Sequence, residues 1–223
     1  MEKIAIFDFD GTLIPGNSVV QYLLYAYQKG VISLFQVMRG AFWGLMNKCG
    51  LADEAKAKNK CLRFVPLMDT EKREELDSGF SRDILEKRIR PQGRERIRQL
   101  KKEGFGIWIV SASTENYMRY IARTLEADEL VCTRFDPDGL IRENCKGSEK
   151  LVMMGRRMRE KGIQVNLKEC TAFGDSKSDL PLLKATGRGI LICPKRSALK
   201  NAGMLGREIW KNAPGDTARR ESK

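Results

Sequence analysis

Two patterns of apolar and polar residues divide the chain, and the change between them falls near Pro91. Ahead of it, an apolar run at 4–7 is followed, from residue 17 to residue 88, by apolar residues at helical spacing. Beyond it, short apolar runs alternate with amphipathic segments, which is typical of a parallel sheet covered by helices. The sequence therefore predicts an α/β fold, a doubly wound, mostly parallel, Rossmann-like sheet with an inserted α-helical cap domain.

The domain boundaries follow from the same patterns. We predict a core domain formed by residues 1–15 and 89–210, a helical cap domain formed by residues 16–88, and a flexible basic tail at 211–223. Asn17 or Ser18 is expected to cap the first helix of the cap domain. The apolar face of that helix is expected to consist of Val19, Val20, Leu23, Leu24 and Tyr27.

A second segment of the cap domain, 31–51, is apolar and aromatic. Gln36, Arg39, Asn47 and Lys48 interrupt it, so no run reaches the roughly 18 apolar residues that a membrane span needs. We interpret the segment as an ordinary packing helix, and an interfacial helix lying on lipid is the alternative.

Four further strands are predicted in the core, at 106–110, 130–133, 170–173 and 189–193, and the last of them ends the sheet. The Asp-Pro-Asp-Gly run at 136–139 predicts a turn that closes a small hairpin after the third strand.

Three of the predicted strands run directly into residues that can do chemistry. Asp8 and Asp10 come after the first strand, Ser111 after the second and Asp175 after the fourth. Ligands of such sheets bind beyond the carboxyl ends of the strands, so we expect these side chains to share one crevice. Clustered carboxylates repel one another unless a cation lies between them, and oxygen ligands without histidine favour Mg²⁺.

Composition excludes several other chemistries. The 223 residues include no His, which excludes mechanisms that need an imidazole base, nucleophile or metal ligand. The six Cys form no Cys-x-x-Cys pair and no signal peptide precedes the first strand, so we expect reduced thiols and a cytoplasmic location. The net charge is +12, but acidic residues are interspersed among the basic ones, as at 71–75, which does not favour nucleic-acid binding.

The polar segments at the strand ends resemble motifs of the haloacid dehalogenase (HAD) superfamily. Residues 8–13 resemble motif I, residues 109–113 motif II and residues 173–179 the acidic motif IV. Their order and spacing match over nearly the whole chain, and a helical insert after motif I indicates a type 1 cap. The Asp-Ser-x-Ser-Asp-Leu-Pro run at 175–181 resembles the phosphoserine-phosphatase-like subclass IB.

The resemblance implies a phosphatase that works with Mg²⁺. Asp8 is the implied nucleophile, which forms an aspartyl-phosphate, and Asp10 is the implied acid and base, which favours hydrolysis. The implied metal ligands are Asp8, Asp175 and the backbone carbonyl of Asp10, with Asp179 as a direct or indirect partner of the metal.

The resemblance also implies the groups that hold the phosphate. Ser111 and the backbone amides near Phe9 and Ala112 would bind phosphoryl oxygens. Motif III requires a lysine, and the segment 145–150 offers two. Lys150 fits the spacing Cys-x-Gly-x-x-Lys and begins a predicted helix, so we prefer it, with Lys146 as the alternative.

We therefore predict a Mg²⁺-dependent phosphomonoester hydrolase that acts on a small phosphorylated metabolite. The alternative is a phospholipid-pathway phosphatase or phosphotransferase at a membrane surface, and the oligomeric state stays open. Phosphoserine phosphatases carry a Glu soon after motif I, whereas residues 15–18 include no acid, which argues against phosphoserine. Five basic residues of the cap domain would suit a second anionic group on the substrate, or are solvated helix faces: Arg39, Lys48, Lys56, Lys58 and Arg63.

Overall fold

The computed structural model describes residues 2–214 and is built on a six-stranded parallel sheet. The strands are β1 (Ile4–Phe7), β2 (Gly106–Thr114), β3 (Glu129–Thr133), β4 (Thr171–Gly174), β5 (Arg188–Ile192) and β6 (Gly206–Glu208). Their order in the sheet is β3-β2-β1-β4-β5-β6. Phe7 is in register with Ile109 of β2 and with Phe173 of β4, so the carboxyl ends of the three central strands lie side by side.

Helices fill the connections between the strands. Their bounds are α1 (Ser18–Gln28), α2 (Leu34–Lys48), α3 (Glu54–Cys61), α4 (Thr70–Phe80), α5 (Glu86–Arg88), α6 (Pro91–Lys102), α7 (Glu115–Thr124), α8 (Glu149–Lys161), α9 (Leu180–Ala185) and α10 (Arg196–Leu199). A π-helical turn, Ser81–Leu85, joins α4 to α5.

Both faces of the sheet are covered, as its apolar strands predict. Alternate residues of β1 enter two apolar clusters, with Ile4 and Ile6 in one and Ala5 and Phe7 in the other. α6 and α7 contribute to the cluster that contains Phe7, whereas α8 and α9 contribute to the cluster that contains Ile4. The predicted α/β, Rossmann-like fold is confirmed.

The helices α1 to α5 stand between β1 and β2 in the chain. Side chains cap the N-termini of α1 to α4 and satisfy free backbone N–H groups, whereas α5 continues from the π-helical turn without a side-chain cap. Asn17 caps α1, Ser33 and Gln36 form a capping box on α2, Asp53 caps α3 and Asp69 caps α4. The division into a core and a cap domain at residues 16–88 stays a prediction.

The apolar face predicted for α1 is only partly correct: Leu23 is buried and Val19 packs against the core, as predicted, but the other three residues are exposed. Val20, Leu24 and Tyr27 are 55%, 46% and 43% exposed. Besides Leu23, the helix buries Ser18, Tyr22, Tyr25 and Ala26. The reason is an aromatic cluster, because the ring of Tyr22 lies 5.1 Å from the rings of both Phe80 and Tyr117, and such pairs outweigh the contacts that smaller side chains offer.

Three local predictions about the sheet also need correction. β2 continues past Ser111 to Thr114, with an irregularity in its pairing with β3 between these two residues. The turn at 136–139 forms, but the residues after it, 140–148, adopt no strand, so the predicted hairpin is wrong. β5 does not end the sheet, because β6 pairs with it in parallel.

The end of the chain is only partly described. Of the predicted flexible tail, residues 215–223 lie outside the described residues. Arg90, just before α6, donates a hydrogen bond to Asn212 at 2.7 Å.

Within residues 2–214, no helix combines the length and the apolar content that crossing a membrane requires.

Candidate active site

Asp8 stands at the middle of the carboxyl edge of the sheet. Its backbone N–H donates to the carbonyl of Phe173 at 2.9 Å, which continues the pairing of β1 with β4. Thr12 donates its hydroxyl to Asp8 Oδ2 at 3.1 Å, and Lys150 donates to Asp8 Oδ1 at 2.7 Å. Both oxygens of the Asp8 carboxylate are therefore held in fixed directions in a buried position.

Of the two candidate lysines, Lys150 is the one that contacts Asp8. It lies in the first turn of α8, is 1% exposed, and donates to Asp8 Oδ1 and Asp179 Oδ1, both at 2.7 Å. Burial disfavours its charge, but the two carboxylates outweigh that effect and raise the pKa of Lys150 above its usual value. Lys146 lies at the rim with a 44% exposed side chain and forms an ion pair with Glu54 of α3.

Two glycines allow the acidic loops to approach one another. Gly11 has a φ of +89°, and a Cβ at this position would lie 2.2 Å from Asp175 Oδ2. A Cβ on Gly174 would lie 2.5 Å from Asp179 Cβ. Any larger residue at either position would push an aspartate away, and position 11 also requires a left-handed backbone that glycine adopts without strain.

Asp8, Asp175 and Asp179 form a buried carboxylate cluster in which one oxygen of each lies within 4.8 Å of the others. Burial raises the pKa of Asp8 to about 7 and that of Asp175 to about 6, although Lys150 and Lys195 act in the opposite direction. The cluster thus lacks positive charge even with both lysines in place, and a divalent cation would supply it. Hard oxygen donors are the ligands that Mg²⁺ prefers, so the residues present fit the predicted metal.

Asp179 differs from the other two carboxylates because protein groups engage both of its oxygens. Oδ1 accepts from Lys150, and Oδ2 accepts from the N–H and the hydroxyl of Ser176 at 3.0 and 2.7 Å. Burial acts to raise its pKa, but Lys150 and Ser176 outweigh burial and hold the pKa of Asp179 below its usual value. Its geometry suits a residue that orients Lys150 and the loop after β4.

Asp10 lies outside that cluster and has partners of its own. Ser18 donates its N–H to Asp10 Oδ1 at 2.9 Å and its hydroxyl to Oδ2 at 3.0 Å, and Ser113 donates to Oδ2 at 2.9 Å. Burial raises the pKa of Asp10 above its usual value, although the hydrogen bonds from Ser113 and Ser18 oppose the change. Asp10 therefore keeps a proton to a higher pH than a free carboxyl group does.

The predicted phosphate-binding residues lie along the same edge of the sheet. Ser111 is buried, and its hydroxyl accepts from the N–H of Ser113 at 3.1 Å. Ala112 lines the cleft, and its carbonyl accepts from Lys58 of α3 at 2.6 Å. Phe9 is fully buried, with its side chain in the core beneath the loop that follows β1.

One cleft of about 340 Å³ brings these groups together. It is lined by eight of the nine predicted site residues, all except Phe9, and by Asn17 and Glu54 from the segment between β1 and β2. Four lysines line it: Lys146, Lys150, Lys177 and Lys195. The described lining residues include none of the five basic cap residues considered for an anionic substrate group, although Lys58 contacts Ala112 and Glu54 at the edge of the cleft. That hypothesis stays a prediction.

Sequence reasoning missed several residues of the site. Lys195 follows β5 and places its Nζ 2.6 Å from Asp175 Oδ2, and the rule that strand ends face the cleft could have identified it. Ser113 lies two positions beyond the predicted serine, so alternation along a strand could have identified it as well. Ser18 and Glu54 come from the helices after β1, and no local signal shows that they reach the site.

Comparison with known proteins agrees with this geometry. The model of the haloacid dehalogenase-like hydrolase family matches residues 5–184. A Streptomyces azureus relative named inhibition of morphological differentiation protein is 25% identical over 207 residues, which cover 89% of this chain and 74% of the relative. A Mycobacterium tuberculosis relative named phosphoserine phosphatase SerB1 is 26% identical over 217 residues, which cover 92% of this chain and 69% of the relative.

Solved structures share the fold at lower identity. A protein of unknown function from Bordetella pertussis superposes with a TM-score of 0.83 at 20% identity and covers 93% of this chain and 98% of its own. A phosphoserine phosphatase with an analogue of its phospho-aspartyl intermediate superposes with a TM-score of 0.64 at 22% identity, covering 93% of both chains.

Proposed function

The chain belongs to the haloacid dehalogenase-like hydrolase family, as its motifs predict, and we propose that it is a phosphatase that works through a phosphorylated Asp8. The observation that carries the proposal is the contact of a buried lysine, Lys150, with a buried aspartate at the centre of a three-carboxylate cluster. The name of the mycobacterial relative, a phosphoserine phosphatase, supports the predicted enzyme class.

The surroundings of Asp8 suit a nucleophile for phosphorus. An anionic carboxylate and an anionic phosphate repel each other, so positive charge must lie between them. Lys150 supplies part of that charge and points one carboxylate oxygen in a fixed direction. Mg²⁺ held by Asp8, Asp175 and the carbonyl of Asp10 would supply the rest, with Asp179 as its indirect partner.

Asp8 and Asp10 divide the reaction between them. An oxygen of Asp8 bonds to phosphorus while the bond from phosphorus to the ester oxygen breaks, and Asp10 gives its proton to that leaving oxygen. A water molecule then attacks the phosphorus of the aspartyl-phosphate and gives its proton to Asp10. The bond from phosphorus to Asp8 breaks, inorganic phosphate leaves, and both side chains return to their starting states.

Ser111 and the amides of Phe9 and Ala112 are proposed to bind the transferred phosphoryl group. Hydrogen-bond donors that are fixed before the reaction stabilise the charge that develops on phosphoryl oxygens without a further cost of reorganisation. The hydroxyl of Ser111 accepts from a backbone N–H, so its own proton is directed elsewhere, and the cleft lies beside it.

The substrate is proposed to be a small phosphorylated molecule, because a cleft of about 340 Å³ holds a compound of metabolite size. Phosphoserine has to be tested directly, since one relative carries that name while Asn17 lines the cleft in the stretch where phosphoserine phosphatases carry a Glu. The names of the relatives give no support to the alternative, a phospholipid-pathway enzyme.

A screen of phosphorylated metabolites, phosphoserine included, tests the proposal. Purified protein should release phosphate from at least one compound in the presence of Mg²⁺. This release should stop when a chelator is added. Asp8→Asn should abolish release, whereas Asp138→Asn, an exposed control, should leave it unchanged. Release that persists in Asp8→Asn would overturn the proposed mechanism.

A further inference from the structure

The helix α2 presents a row of large apolar side chains to solvent. From Phe35 onward their spacing is three or four residues, which places them on one side of the helix, and Leu34 lies one turn before Met38 on the same side. They are between 55% and 72% exposed: Leu34, Phe35, Met38, Phe42 and Leu45. Scattered exposed apolar residues are ordinary on protein surfaces, but a continuous helical row of this size marks a surface that binds something.

The neighbouring helix α1 also presents apolar side chains to solvent. Three apolar residues of α1 are exposed: Val20, Leu24 and Tyr27. Val31, in the turn between α1 and α2, is exposed as well. The two helices are in close contact, because a Cβ on Gly40 of α2 would lie 2.9 Å from Leu23 of α1. The buried side of α2 thus faces α1, and the opposite side stays open. We call these nine exposed residues of α1, α2 and the turn the apolar cap face.

The charged residues that α1, α2 and the turn between them carry have one sign. No Asp or Glu occurs between Asp10 and Asp53, although 29 of the 223 residues of the chain are acidic. The same stretch contains Lys29, Arg39 and Lys48. Lys29 and Lys48 are exposed, and Lys29 directly follows α1 whereas Lys48 is the last residue of α2. Glu75 of α4 lines a cavity with Lys29 and Val31, so one end of the surface has an acidic neighbour. The two helices themselves carry only basic charge beside their exposed apolar side chains, which complements an anionic lipid surface.

We propose that the apolar cap face docks the protein onto an anionic lipid bilayer, with α2 lying in the plane of the interface. The apolar row enters the boundary between headgroups and acyl chains while the lysines contact anionic headgroups. The 15 residues of α2 span about 22 Å, less than the hydrocarbon thickness of about 30 Å, so the helix lies on the bilayer rather than across it.

A second copy of this chain fits the surface less well. Pairing two copies through this face would bring the basic residues Lys29 and Lys48 of both copies towards one another, and like charges repel. Docking is also independent of the proposed reaction, because none of the nine residues is among the described residues that line the catalytic cleft. Failure of one proposal therefore leaves the other standing.

Sedimentation of the full chain with lipid vesicles tests the docking. Vesicles of phosphatidylcholine that contain phosphatidylglycerol should carry the protein down at low salt, and vesicles of phosphatidylcholine alone should carry down much less. The double substitution Phe35→Ser with Phe42→Ser should weaken partition by roughly tenfold or more, since two large apolar groups no longer insert. Met204→Ser, fully exposed but outside the apolar cap face, should partition like the wild type.

The charges are tested in the same assay. Lys29→Gln with Lys48→Gln should weaken partition onto anionic vesicles by about fivefold for each charge removed and should reduce its dependence on salt. Thermal melting and phosphatase turnover check that each variant is folded. Leu45→Gln, a single and milder change in the same row, replaces the double phenylalanine variant if that variant does not fold.

Two results would overturn the proposal. One is a vesicle assay in which the apolar cap face has no effect. In that assay the wild type either does not bind anionic vesicles or binds them no better than the folded variant with Phe35→Ser and Phe42→Ser. The other is sedimentation velocity that shows a dimer in solution which the phenylalanine substitutions dissociate, without binding to vesicles. That second result would assign the apolar cap face to a second copy of the chain.

Discussion

Lys150 donates a hydrogen bond to Asp8 at 2.7 Å across 142 positions of the sequence. A buried lysine that touches a buried aspartate in this way neutralises the charge that would otherwise repel an anionic substrate. The neighbouring candidate, Lys146, contacts only the rim residue Glu54 among the ion pairs of the described residues. The geometry therefore distinguishes the preferred lysine from the alternative that lies four positions earlier in the sequence.

Replacing the two lysines one at a time tests this difference. Lys150→Met should lower kcat/KM by at least about a hundredfold, because it removes charge stabilisation inside a buried site. Lys146→Met should change kcat/KM by no more than a few-fold, because exposed ion pairs contribute little. Steady-state kinetics with para-nitrophenyl phosphate measures both, and circular dichroism checks folding. Similar losses in both variants would contradict the assignment of Lys150.

Activity is expected to require glycine at position 11 because of the space that Asp175 occupies beside it, and not only because of the backbone conformation. Gly11→Ala should displace Asp175 and so lose most of the activity. Gly30 provides a matched control, because its φ is +72° and a Cβ there would meet nothing within 4 Å. Gly30→Ala should lower the free energy of unfolding by about 1 kcal/mol and keep full activity, whereas Gly11→Ala should lower it by more, because the added Cβ also clashes with Asp175. Urea denaturation measures the stability of the two variants, and steady-state turnover measures their activity. Loss of activity in both variants would show that the close contact between Gly11 and Asp175 has no specific role.

Asp175 is expected to control the requirement for Mg²⁺. Asp175→Asn removes one charged oxygen donor from the carboxylate cluster, so half-maximal activity should need at least about tenfold more Mg²⁺. Titration of activity with Mg²⁺ after treatment with a chelator measures this. Asp136→Asn, an exposed change away from the cleft, is the control. An unchanged Mg²⁺ requirement in Asp175→Asn would exclude Asp175 as a metal ligand.

Asp77 of α4 should make the stability of the protein depend on pH. Its Oδ1 accepts from Tyr22 of α1 and from Asn116 of α7, both at 2.5 Å, and burial raises the pKa of Asp77 despite these hydrogen bonds. The folded state thus binds the proton more tightly than the unfolded state does. The resulting stability is present below the unfolded pKa of about 3.9 and is lost as pH rises through the folded pKa.

Asp77→Asn removes this titration, so its stability relative to the wild type should increase as pH rises above about 4. Urea denaturation at several pH values gives the difference in the free energy of unfolding between the two proteins. A difference that stays constant, or that falls as pH rises, would show that burial does not raise the pKa of Asp77.

The meeting of Asp8, Ser111 and Asp175 at one cleft could be predicted because it depends only on strand topology. Parallel strands place their carboxyl ends at one edge, and each of these residues follows or ends a buried apolar run. The order of the sheet then brings β1 between β2 and β4. No knowledge of side-chain packing is needed for that result.

The parts of the site that come from the helices after β1 could not be predicted, because they depend on tertiary packing. The pattern of α1 allows two apolar faces, and the contacts of Tyr22 with Phe80 and Tyr117 decide which one is buried. The same packing brings Ser18 to Asp10. The strand β6, Gly206–Glu208, carries no apolar residue and pairs at the edge of the sheet, so no hydrophobic signal marks it.

Trapping of the phosphorylated enzyme is the most direct test of the proposed reaction. Protein that is turning over a substrate with Mg²⁺ is treated with borohydride, which reduces an aspartyl-phosphate to a primary alcohol and releases phosphate. Mass spectrometry of the digested protein should then find the reduced side chain at Asp8, only when substrate is present. An unmodified Asp8 under these conditions, or a reduced side chain at another residue, would contradict the mechanism.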